Sequence, residues 1–344
     1  MTLLPFSLRR KAVGTLVCFS MAAVRAAAQL VLPAEFDFES TEGYAVGEES
    51  LPFASEGTVS ISDGDAASGL QSILLGPDEI SVSALSLSFD DQAAGSVRFI
   101  DFFLKPALTP PGSLPGDIDP GVVSLTALVG ERFDPNGSIF AADGSGVGPA
   151  EWVDTFWSAP AAGGVSAQWI RFTYRLDYTT GIWDLFLNGE MVLFDLGFLD
   201  PLATELTSFR LRGDSELPVW FDYFYAGAVN PLFEDVDSDA LPDDYELAQG
   251  LSTATNDRDG DADFDGIFNL EEYLAGLAAG DPDTDGDGVS DGAELSTGAD
   301  PNSANAYALS SVPYDLNFET YSEGALSGQG YWQVSGGTAE VQSV

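Results

Sequence analysis

The sequence has no histidine, a single cysteine (Cys18) and only two lysines, Lys11 and Lys105. Without histidine or a pair of cysteines, the chain cannot build a Ser-His-Asp or Cys-His catalytic site, a histidine-bound zinc site or a disulfide framework. It also lacks a GxxxxGK loop and a basic stripe, so phosphate binding of the P-loop type and nucleic-acid binding are not expected. Any acid–base chemistry would therefore depend on carboxylates.

Charge of one sign dominates the composition. Only 12 Lys and Arg stand against 55 Asp and Glu in 344 residues, which gives a net charge of −43. Even so, 45% of the residues are apolar and 12% are aromatic, proportions too high for a disordered acidic chain. A packed core is expected, and the length allows about two domains of roughly 150 residues.

Residues 1–28 have the composition of a secretory signal peptide. A basic stretch at 9–11 precedes an apolar run from Ala12 to Val24, and three alanines lead to a cleavage point after Ala28. The alternative, a membrane anchor, would need an apolar run of about 20 residues, which is longer than this one. Removal of the segment takes away four basic and no acidic residues, which leaves 8 against 55 and a net charge of −47. The mature chain is thus expected to be secreted or surface-displayed, not inserted in a membrane, and surrounded by cations.

The region from 29 to 230 alternates short apolar or β-branched runs with Gly, Pro, Asp and Asn, which predicts an all-β sandwich. Apolar residues at helical spacing are missing from it. The clearest predicted strands are Glu35–Glu39, Gly57–Ser62, Ile80–Phe89, Ser96–Leu104, Val122–Val129, Trp169–Leu176, Ile182–Leu187 and Val219–Ala226.

Two successive hairpins are predicted between Gln168 and Phe194. Thr179-Thr180-Gly181 separates two alternating strands, and Asn188-Gly189 supplies a second turn whose residues tolerate positive φ. This stretch, with the opening FDFES and the closing WFDYFYAG, resembles the laminin-G-like and concanavalin A-like sandwich (jelly-roll) families. The resemblance implies binding of a carbohydrate or a protein more often than catalysis, although a fold alone does not decide function.

The expected partner is a glycan or a component of the extracellular matrix or cell surface. Exposed aromatic rings could stack on sugars, but aromatics at alternate strand positions are more often part of the core. The tryptophans available for stacking are Trp152, Trp157, Trp169, Trp183 and Trp220.

An enzymatic alternative depends on Glu35, Asp37 and Glu39, which match the E-x-D-x-E pattern of the glucanases of glycoside hydrolase family 16. In that family the first Glu is the nucleophile and the last is the acid/base. A retaining hydrolase needs its carboxyl groups about 5 to 5.5 Å apart, whereas positions i and i+4 of a regular strand are about 13 Å apart. A noncatalytic role is therefore favoured, and a calcium clamp of Asp37, Glu39 and Asp222 is one alternative role.

The composition changes abruptly at residues 231–302, where 21 acidic residues accompany a single base, Arg258. Three twelve-residue windows in this segment carry oxygen-bearing side chains at positions 1, 3, 5, 9 and 12 and an aliphatic residue at position 7. In the first window these residues are Asp235, Asp237, Asp239, Leu241, Asp243 and Glu246. In the second they are Asp261, Asp263, Asp265, Ile267, Asn269 and Glu272. In the third they are Asp283, Asp285, Asp287, Val289, Asp291 and Glu294.

This spacing is that of a loop that wraps a hard cation. Positions 1, 3 and 5 offer side-chain oxygens, position 7 a backbone carbonyl, position 9 a direct or water-mediated ligand, and position 12 a bidentate Glu. Magnesium requires six close ligands and retains its waters, so Ca²⁺ is the predicted ion. Glycine at position 6 permits the sharp turn in two windows, as Gly266 and Gly288, whereas Ala240 weakens the prediction for the first.

Chance alignment in an acidic linker is the main alternative for these windows. Asp, Glu and Asn occupy a third of the segment, so about 0.25 matches to five fixed positions are expected by chance, and three are present. Two carboxylates about 4 Å apart repel each other by about 1 kcal/mol in water and about 4 kcal/mol at an effective dielectric of 20. The loops should therefore need a divalent ion to hold their shape.

The windows resemble thrombospondin type 3 repeats and other EF-hand-like tandem calcium loops, in a version without the cysteines of the animal repeats. Short helices closed by glycine are predicted after the loops, at Asp243–Gln249 and Leu270–Leu277. An overlapping partial loop leaves open whether Asp257 or Asp259 joins a neighbouring ion.

Residues 303–344 are predicted to be a linker and the truncated start of a second sandwich. A shift of 280 positions places Phe318-Glu319 on Phe38-Glu39. The second copy has Asn317 where the first has Asp37, which favours a structural role for the carboxylates of the first. The chain is accordingly expected to be a fragment of a longer modular protein.

The sequence thus predicts a noncatalytic calcium-binding module that binds a glycan or matrix ligand, with 231–302 as a spacer stiffened by calcium. Two alternatives stay open: a family 16-like hydrolase, and a purely structural spacer whose acidity is an adaptation to salt. Sodium and calcium would stabilise such a structural spacer equally at matched ionic strength.

Overall fold

The computed structural model describes residues 29–42, 44–45, 54–76, 83–91, 96–106, 123–126, 130–133, 137–144, 151–158, 161–162, 165–166, 168–213, 218–304, 324–325 and 340–341. The predicted signal peptide at 1–28 lies outside these ranges, as does most of the predicted second sandwich at 303–344. Among the helices within them, none is both long and apolar enough to cross a bilayer.

In the described residues before 230, the strands form two eight-stranded sheets. Sheet I contains β1 (Leu30–Val31), β3 (Ala54–Glu56), β6 (Ala84–Asp90), β8 (Val123–Thr126), β9 (Gly130–Phe133), β10 (Ser138–Asp143), β11 (Glu151–Ser158) and β17 (Ser208–Arg212). Sheet II contains β2 (Ala34–Phe36), β4 (Val59–Ser62), β5 (Ser72–Leu75), β7 (Val97–Pro106), β14 (Ile170–Asp177), β15 (Ile182–Leu187), β16 (Glu190–Gly197) and β18 (Val219–Gly227). The same described part of the chain also contains a 3-10 turn (Ser40–Glu42) and a ribbon of β12 (Ala161–Ala162) with β13 (Val165–Ser166).

The strand order shows many long-range pairings. Sheet I runs β1-β6-β17-β8-β9-β10-β11, with β3 also paired to β6, and sheet II runs β16-β15-β14-β7-β18-β5-β4, with β2 paired to β18. Neighbouring strands within each sheet are antiparallel, except that β1 pairs with β6 in the parallel direction. A separate pair, β19 (Gly324–Ala325) with β20 (Glu340–Val341), lies near the end of the chain.

Aromatic side chains from both sheets meet in one core between them. Phe102 of β7 lies 5.3 Å from Phe172 of β14 in the same sheet and 5.1 Å from Phe209 of β17 in sheet I, measured between ring centroids. Trp183 of β15 is fully buried and donates its indole N–H to the carbonyl of Ala142 on β10, at 3.3 Å. The prediction of a β-sandwich is therefore confirmed.

The hairpins around β15 follow the sequence signals. β15 begins and ends at the predicted residues, because Gly181 (φ +76°) ends the turn before it and Asn188-Gly189 (φ +53° and +88°) forms the turn after it. The predicted strand Glu35–Glu39 is wrong beyond Phe36. Phe38 has φ +56°, which a strand does not accommodate.

β14 is buried on both faces although its sequence alternates. Phe172, Tyr174 and Leu176 point into the core, and Thr173 and Arg175 on the opposite face are equally buried. The residues that cover this outer face come from the acidic segment after β18. The sandwich thus carries the segment that contains the candidate site.

Among the described residues, three helices of seven residues each begin at position 9 of one of the three predicted windows: α1 (Asp243–Gln249), α2 (Asn269–Ala275) and α3 (Asp291–Thr297). Each ends at a glycine in the left-handed region, with φ between +70° and +78°. The prediction for α1 is confirmed in its bounds. α2 begins one residue before the predicted Leu270 and ends at Ala275, because Gly276 already closes it.

Candidate metal centre

Three loops with one architecture lie in the acidic segment: loop 1 (235–246), loop 2 (261–272) and loop 3 (283–294). In each loop, the side chain at position 9 accepts a hydrogen bond from the backbone N–H of position 2. These pairs are Asp243 with Val236 (3.0 Å), Asn269 with Ala262 (3.1 Å) and Asp291 with Thr284 (2.9 Å). The position 9 side chain therefore closes each loop, and its direct ligation of an ion stays a prediction.

A second repeated hydrogen bond orients the carboxylate at position 5. One of its oxygens accepts from the backbone N–H of position 7, at 2.8 to 3.0 Å, in Asp239, Asp265 and Asp287. The aliphatic side chains at position 7, those of Leu241, Ile267 and Val289, are buried under the loops. That their carbonyls are ligands stays a prediction.

Position 6 has a left-handed backbone in all three loops. Gly266 and Gly288 have φ +100° and +97°, and Ala240 has φ +79°. An L-residue in this region is strained by about 1 to 2 kcal/mol. Loop 1 nevertheless makes the same turn as the others, so alanine at position 6 does not prevent its closure.

Carboxylate oxygens converge in every loop. One oxygen from each of the residues at positions 1, 3 and 5 lies within 4.8 Å of the other two, which brings together three groups. The groups are Asp235, Asp237 and Asp239; Asp261, Asp263 and Asp265; and Asp283, Asp285 and Asp287. Such separations are repulsive without a cation.

The glutamate at position 12 is the most informative residue of each loop. Glu246, Glu272 and Glu294 are 0% exposed, and neither carboxylate oxygen of any of them has a hydrogen-bond partner among the residues that the structure describes. Burial, and then the surrounding aspartates, raise the pKa of Glu246 and of Glu272 to about 8 and that of Glu294 to about 7. A buried carboxylate without a partner is strongly disfavoured unless a cation compensates it. Because all side-chain donors are oxygens, a hard divalent cation such as Ca²⁺ fits them best.

The carboxylate of a residue outside the loops lies next to those of loop 1. Asp257 forms a fourth group with Asp239 and Glu246, again with oxygens within 4.8 Å of one another. One Asp257 oxygen accepts from the backbone N–H of Ser252 (3.0 Å), and the other is buried without a hydrogen-bond partner in the described part of the chain. Of the two residues that the sequence left open, Asp257 thus faces loop 1, whereas the side chain of Asp259 is 76% exposed.

The segment is fastened to sheet II by buried charges that the sequence did not predict to interact. Arg258 is 1% exposed, and its guanidinium contacts both oxygens of Asp184 on β15, at 2.7 and 3.3 Å. Arg175 of β14 donates to the same carboxylate (3.1 Å) and to the carbonyl of Ser238 in loop 1 (2.6 Å). Charged residues at alternate positions of β14 and a lone aspartate in β15, together with one arginine in an acidic segment, are the sequence signal that could have indicated this contact.

The E-x-D-x-E carboxylates make separate contacts. Asp37 accepts a hydrogen bond from the Ser68 hydroxyl, and Glu39 accepts from the backbone N–H groups of Leu70 (2.6 Å) and Gln71 (2.9 Å). Asp222 accepts from the backbone N–H groups of residues 67, 68 and 223 at 2.7 to 2.8 Å. These carboxylates therefore hold the chain between residues 67 and 71 against β18.

A cavity of about 620 Å³ lies beside β2 and β18, close to the start of the acidic segment. Its walls include Pro33, Glu35, Tyr223, Tyr225 and Val229. Burial, and then the nearby carboxylate of Glu35, raise the pKa of Tyr223. The Tyr225 hydroxyl is hydrogen-bonded to the backbone of Val229 at 3.1 Å. The cavity thus combines aromatic faces with a carboxylate.

Comparison with known proteins identifies the third loop. Residues 283–304, which contain loop 3 and α3, match the Bacterial TSP3 repeat, a calcium-binding repeat. Among curated proteins, none matches the chain.

Several solved structures are weakly similar to the chain. The binding domain of botulinum neurotoxin DC in complex with rat synaptotagmin II is 14% identical with a TM-score of 0.36 over 55% of this chain and 44% of that chain. A second structure comes from work on the cell entry of botulinum neurotoxin type C, which is dependent upon interaction with two ganglioside molecules. It is 11% identical over 55% of this chain and 44% of that chain, with a TM-score of 0.36. Domain 4 of AbnA, an extracellular arabinanase from Geobacillus stearothermophilus in complex with arabinotriose, is 18% identical over 59% of this chain and 96% of that chain, with a TM-score of 0.34. This chain therefore spans less than half the length of the two toxin structures.

The comparisons and the loop geometry lead to the same coarse assignment: the acidic segment that follows the sandwich ends in a TSP3-type calcium-binding repeat.

Proposed function

We propose that the chain is a secreted, noncatalytic binding module in which three calcium sites stiffen the segment 231–302. The observation that carries this proposal is the burial of Glu246, Glu272 and Glu294 without hydrogen-bond partners among the described residues. The salt-adaptation alternative predicts exposed, solvated carboxylates, which these are not. On the sequence resemblance, we further assign the sandwich to the laminin-G-like and concanavalin A-like group.

The residues that would hold Ca²⁺ are those at positions 1, 3, 5 and 12 of each loop. The ion would supply the positive charge that the clustered carboxylates lack. The hydrogen bonds at positions 5 and 9 keep each loop closed, and oxygens at positions 1, 3 and 5 lie within 4.8 Å of one another. For a chain that works outside the cell we expect affinities of about 10⁻⁴ to 10⁻³ M, which are typical of extracellular calcium modules.

Calorimetric titration of the full chain with CaCl₂ tests the assignment. We expect saturable heat and a rise in melting temperature that NaCl at equal ionic strength does not produce. At a calcium concentration of 100 Kd, each site adds about 2.7 kcal/mol to the free energy of unfolding. Equal stabilisation by sodium and calcium would refute the proposal and support salt adaptation.

For the sandwich, we propose that the cavity beside β18 binds a glycan. Tyrosine faces stack on sugar rings, and the carboxylate of Glu35 can accept hydrogen bonds from sugar hydroxyls. A glycan array probed with the full chain should give a signal that Tyr223→Ala abolishes. Phe156→Ala is the matched control, because this ring is 94% exposed on β11 of the other sheet. Equal loss in both variants, or no signal with calcium present, would refute this placement.

We also propose that the chain does not catalyse glycoside hydrolysis. Asp37 and Glu39 each hold the chain at 68–71 through hydrogen bonds, as expected of structural carboxylates. Reducing-sugar release from laminarin should be indistinguishable from the buffer blank. Release that Glu39→Gln eliminates would show instead that the chain is a hydrolase.

A further inference from the structure

Asp257 and Arg258 are adjacent in the chain but contact different parts of the protein. The Asp257 carboxylate lies with those of Asp239 and Glu246 in loop 1. The backbone N–H of Asp257 also donates to the second oxygen of Asp239, at 3.1 Å. Arg258 points to the sandwich, where it contacts Asp184. The two residues therefore join loop 1 to sheet II.

On the sandwich side, this contact consists of buried charged side chains. Asp184 is 0% exposed and accepts from both Arg258 and Arg175. Although burial disfavours its ionised form, the two guanidinium groups hold the pKa of Asp184 below its ordinary value. Arg258 also contacts Asp195 of β16, at 3.1 Å. A buried network of this kind is strongly destabilised when one partner is removed.

The same arginines hold the backbone of loop 1. Arg258 donates to the carbonyl of Asp239 (3.2 Å), and Arg175 donates to the carbonyl of Ser238 (2.6 Å). Both carbonyls lie between positions 3 and 6 of the loop, next to the carboxylates that converge. Arg258 is the one base in 231–302, so loops 2 and 3 contain no equivalent anchor within the segment.

We propose that loop 1 is a composite calcium site, completed by Asp257 from outside the loop and coupled through Arg258 to sheet II. Calcium in this site fastens the spacer to the sandwich, whereas loops 2 and 3 stiffen only the spacer itself. The inference rests on the proposed calcium binding, and loops 2 and 3 provide its internal reference.

Calcium titration of full-chain variants tests the ligand role. Asp257→Asn removes a carboxylate from the loop 1 site with little change in volume. Asp259→Asn is the matched control, because its side chain is 76% exposed and its contact with Arg258 Nε is a long one, at 3.7 Å. We expect Asp257→Asn to weaken one binding step tenfold or more and to leave the others unchanged, while Asp259→Asn changes none. Wild-type affinities in Asp257→Asn would overturn the composite site. Absence of saturable heat in the wild type would instead overturn the calcium assignment itself.

The coupling is tested through Arg258→Met, which keeps most of the side-chain volume. Loss of an outer-sphere partner typically weakens metal affinity 10- to 100-fold, and we expect that loss at one site. By reciprocity, calcium should slow amide hydrogen exchange in β15 and β16 of the wild type, with no comparable change in β10 and β11. Asp257→Asn, which leaves the ion pair intact, should lose this calcium-dependent protection. Equal protection of β15 and β16 with and without calcium would overturn the coupling even if Arg258→Met failed to fold.

Discussion

Glu272→Gln should change the stability of the protein in opposite directions with and without calcium. Glu272 lies at position 12 of loop 2 and is buried without a hydrogen-bond partner in the described part of the chain. Glutamine has nearly the same shape but no charge. In calcium the variant loses a bidentate ligand, whereas in EDTA it loses an uncompensated buried charge.

The expected magnitudes follow from linkage. At 10 mM calcium and a Kd of about 10⁻⁴ M, site 2 contributes about 2.7 kcal/mol, and a tenfold weaker site contributes about 1.4 kcal/mol. The variant should therefore lose about 1.3 kcal/mol, or about 5 to 10 °C in melting temperature if 231–302 melts as its own unit. In EDTA at pH 8, the Glu272 pKa of about 8 against an ordinary 4.5 implies a gain of at most about 4 kcal/mol for the variant.

Differential scanning calorimetry of wild type and variant, in 10 mM CaCl₂ and in EDTA, measures both effects. At pH 8, the variant should melt at a lower temperature than the wild type in calcium and at a higher temperature in EDTA. At pH 5 in EDTA the wild-type carboxyl is protonated, so the difference should shrink. A variant that is destabilised equally in both buffers would refute the reasoning, because Glu272 would then act as a packing residue and not as a calcium ligand.

Three further predictions concern the loops and the core. Without calcium, the melting temperature should fall as pH rises from 5 to 8. The pKa values of Glu246 and Glu294 are raised in the folded state, which therefore holds protons that the unfolded state releases above about pH 4.5. A pH series of calorimetric scans measures this fall, and calcium should remove it. Gly288→Ala should lower the free energy of unfolding of loop 3 by about 1 to 2 kcal/mol. Its φ is +97° and the space around it is open, so backbone strain is the expected penalty. Thermal unfolding in calcium, followed by circular dichroism, measures this loss. Trp183→Ala should cost about 3 to 5 kcal/mol in urea unfolding, because the ring is wholly buried between the sheets, whereas the exposed Trp152→Ala should change the midpoint little.

Elements with local signals at both ends could be predicted from the sequence. β15 lies between Gly181 and Asn188-Gly189, and α1 ends at Gly250, so neither boundary depends on distant residues. The convergence of positions 1, 3 and 5 was likewise predictable, because regular spacing within one short loop determines it.

Departures from regular backbone were not predictable from alternation. The strand expected over Glu35–Glu39 ends at Phe36, since Glu42 accepts hydrogen bonds from the N–H groups of Asp37 and Phe38, each at 3.0 Å. These bonds stabilise a turn in which Phe38 reaches the core from a left-handed backbone. An alternating pattern indicates which side chains are buried but not whether the chain that carries them is a strand.

Long-range pairing accounts for the part of the site that the sequence did not reveal. Arg258 and Asp184 are 74 residues apart, and their contact depends on how the segment after β18 turns back over sheet II. Asp257 joins loop 1 for the same reason, because the chain returns past α1 before loop 2 begins. Spacing within one window carries no information about a ligand that arrives from outside it.

The contact between Arg258 and β15 also determines where mechanical load enters the sandwich. A pull on the chain beyond residue 304 would otherwise act on the end of β18 at Gly227 and peel that strand away from its neighbours. With Arg258 held by Asp184, tension passes into β15, which is hydrogen-bonded on both sides by β14 and β16. Single-molecule force spectroscopy should therefore record a higher rupture force in calcium than in EDTA, as expected for a tether whose strength depends on its anchor point.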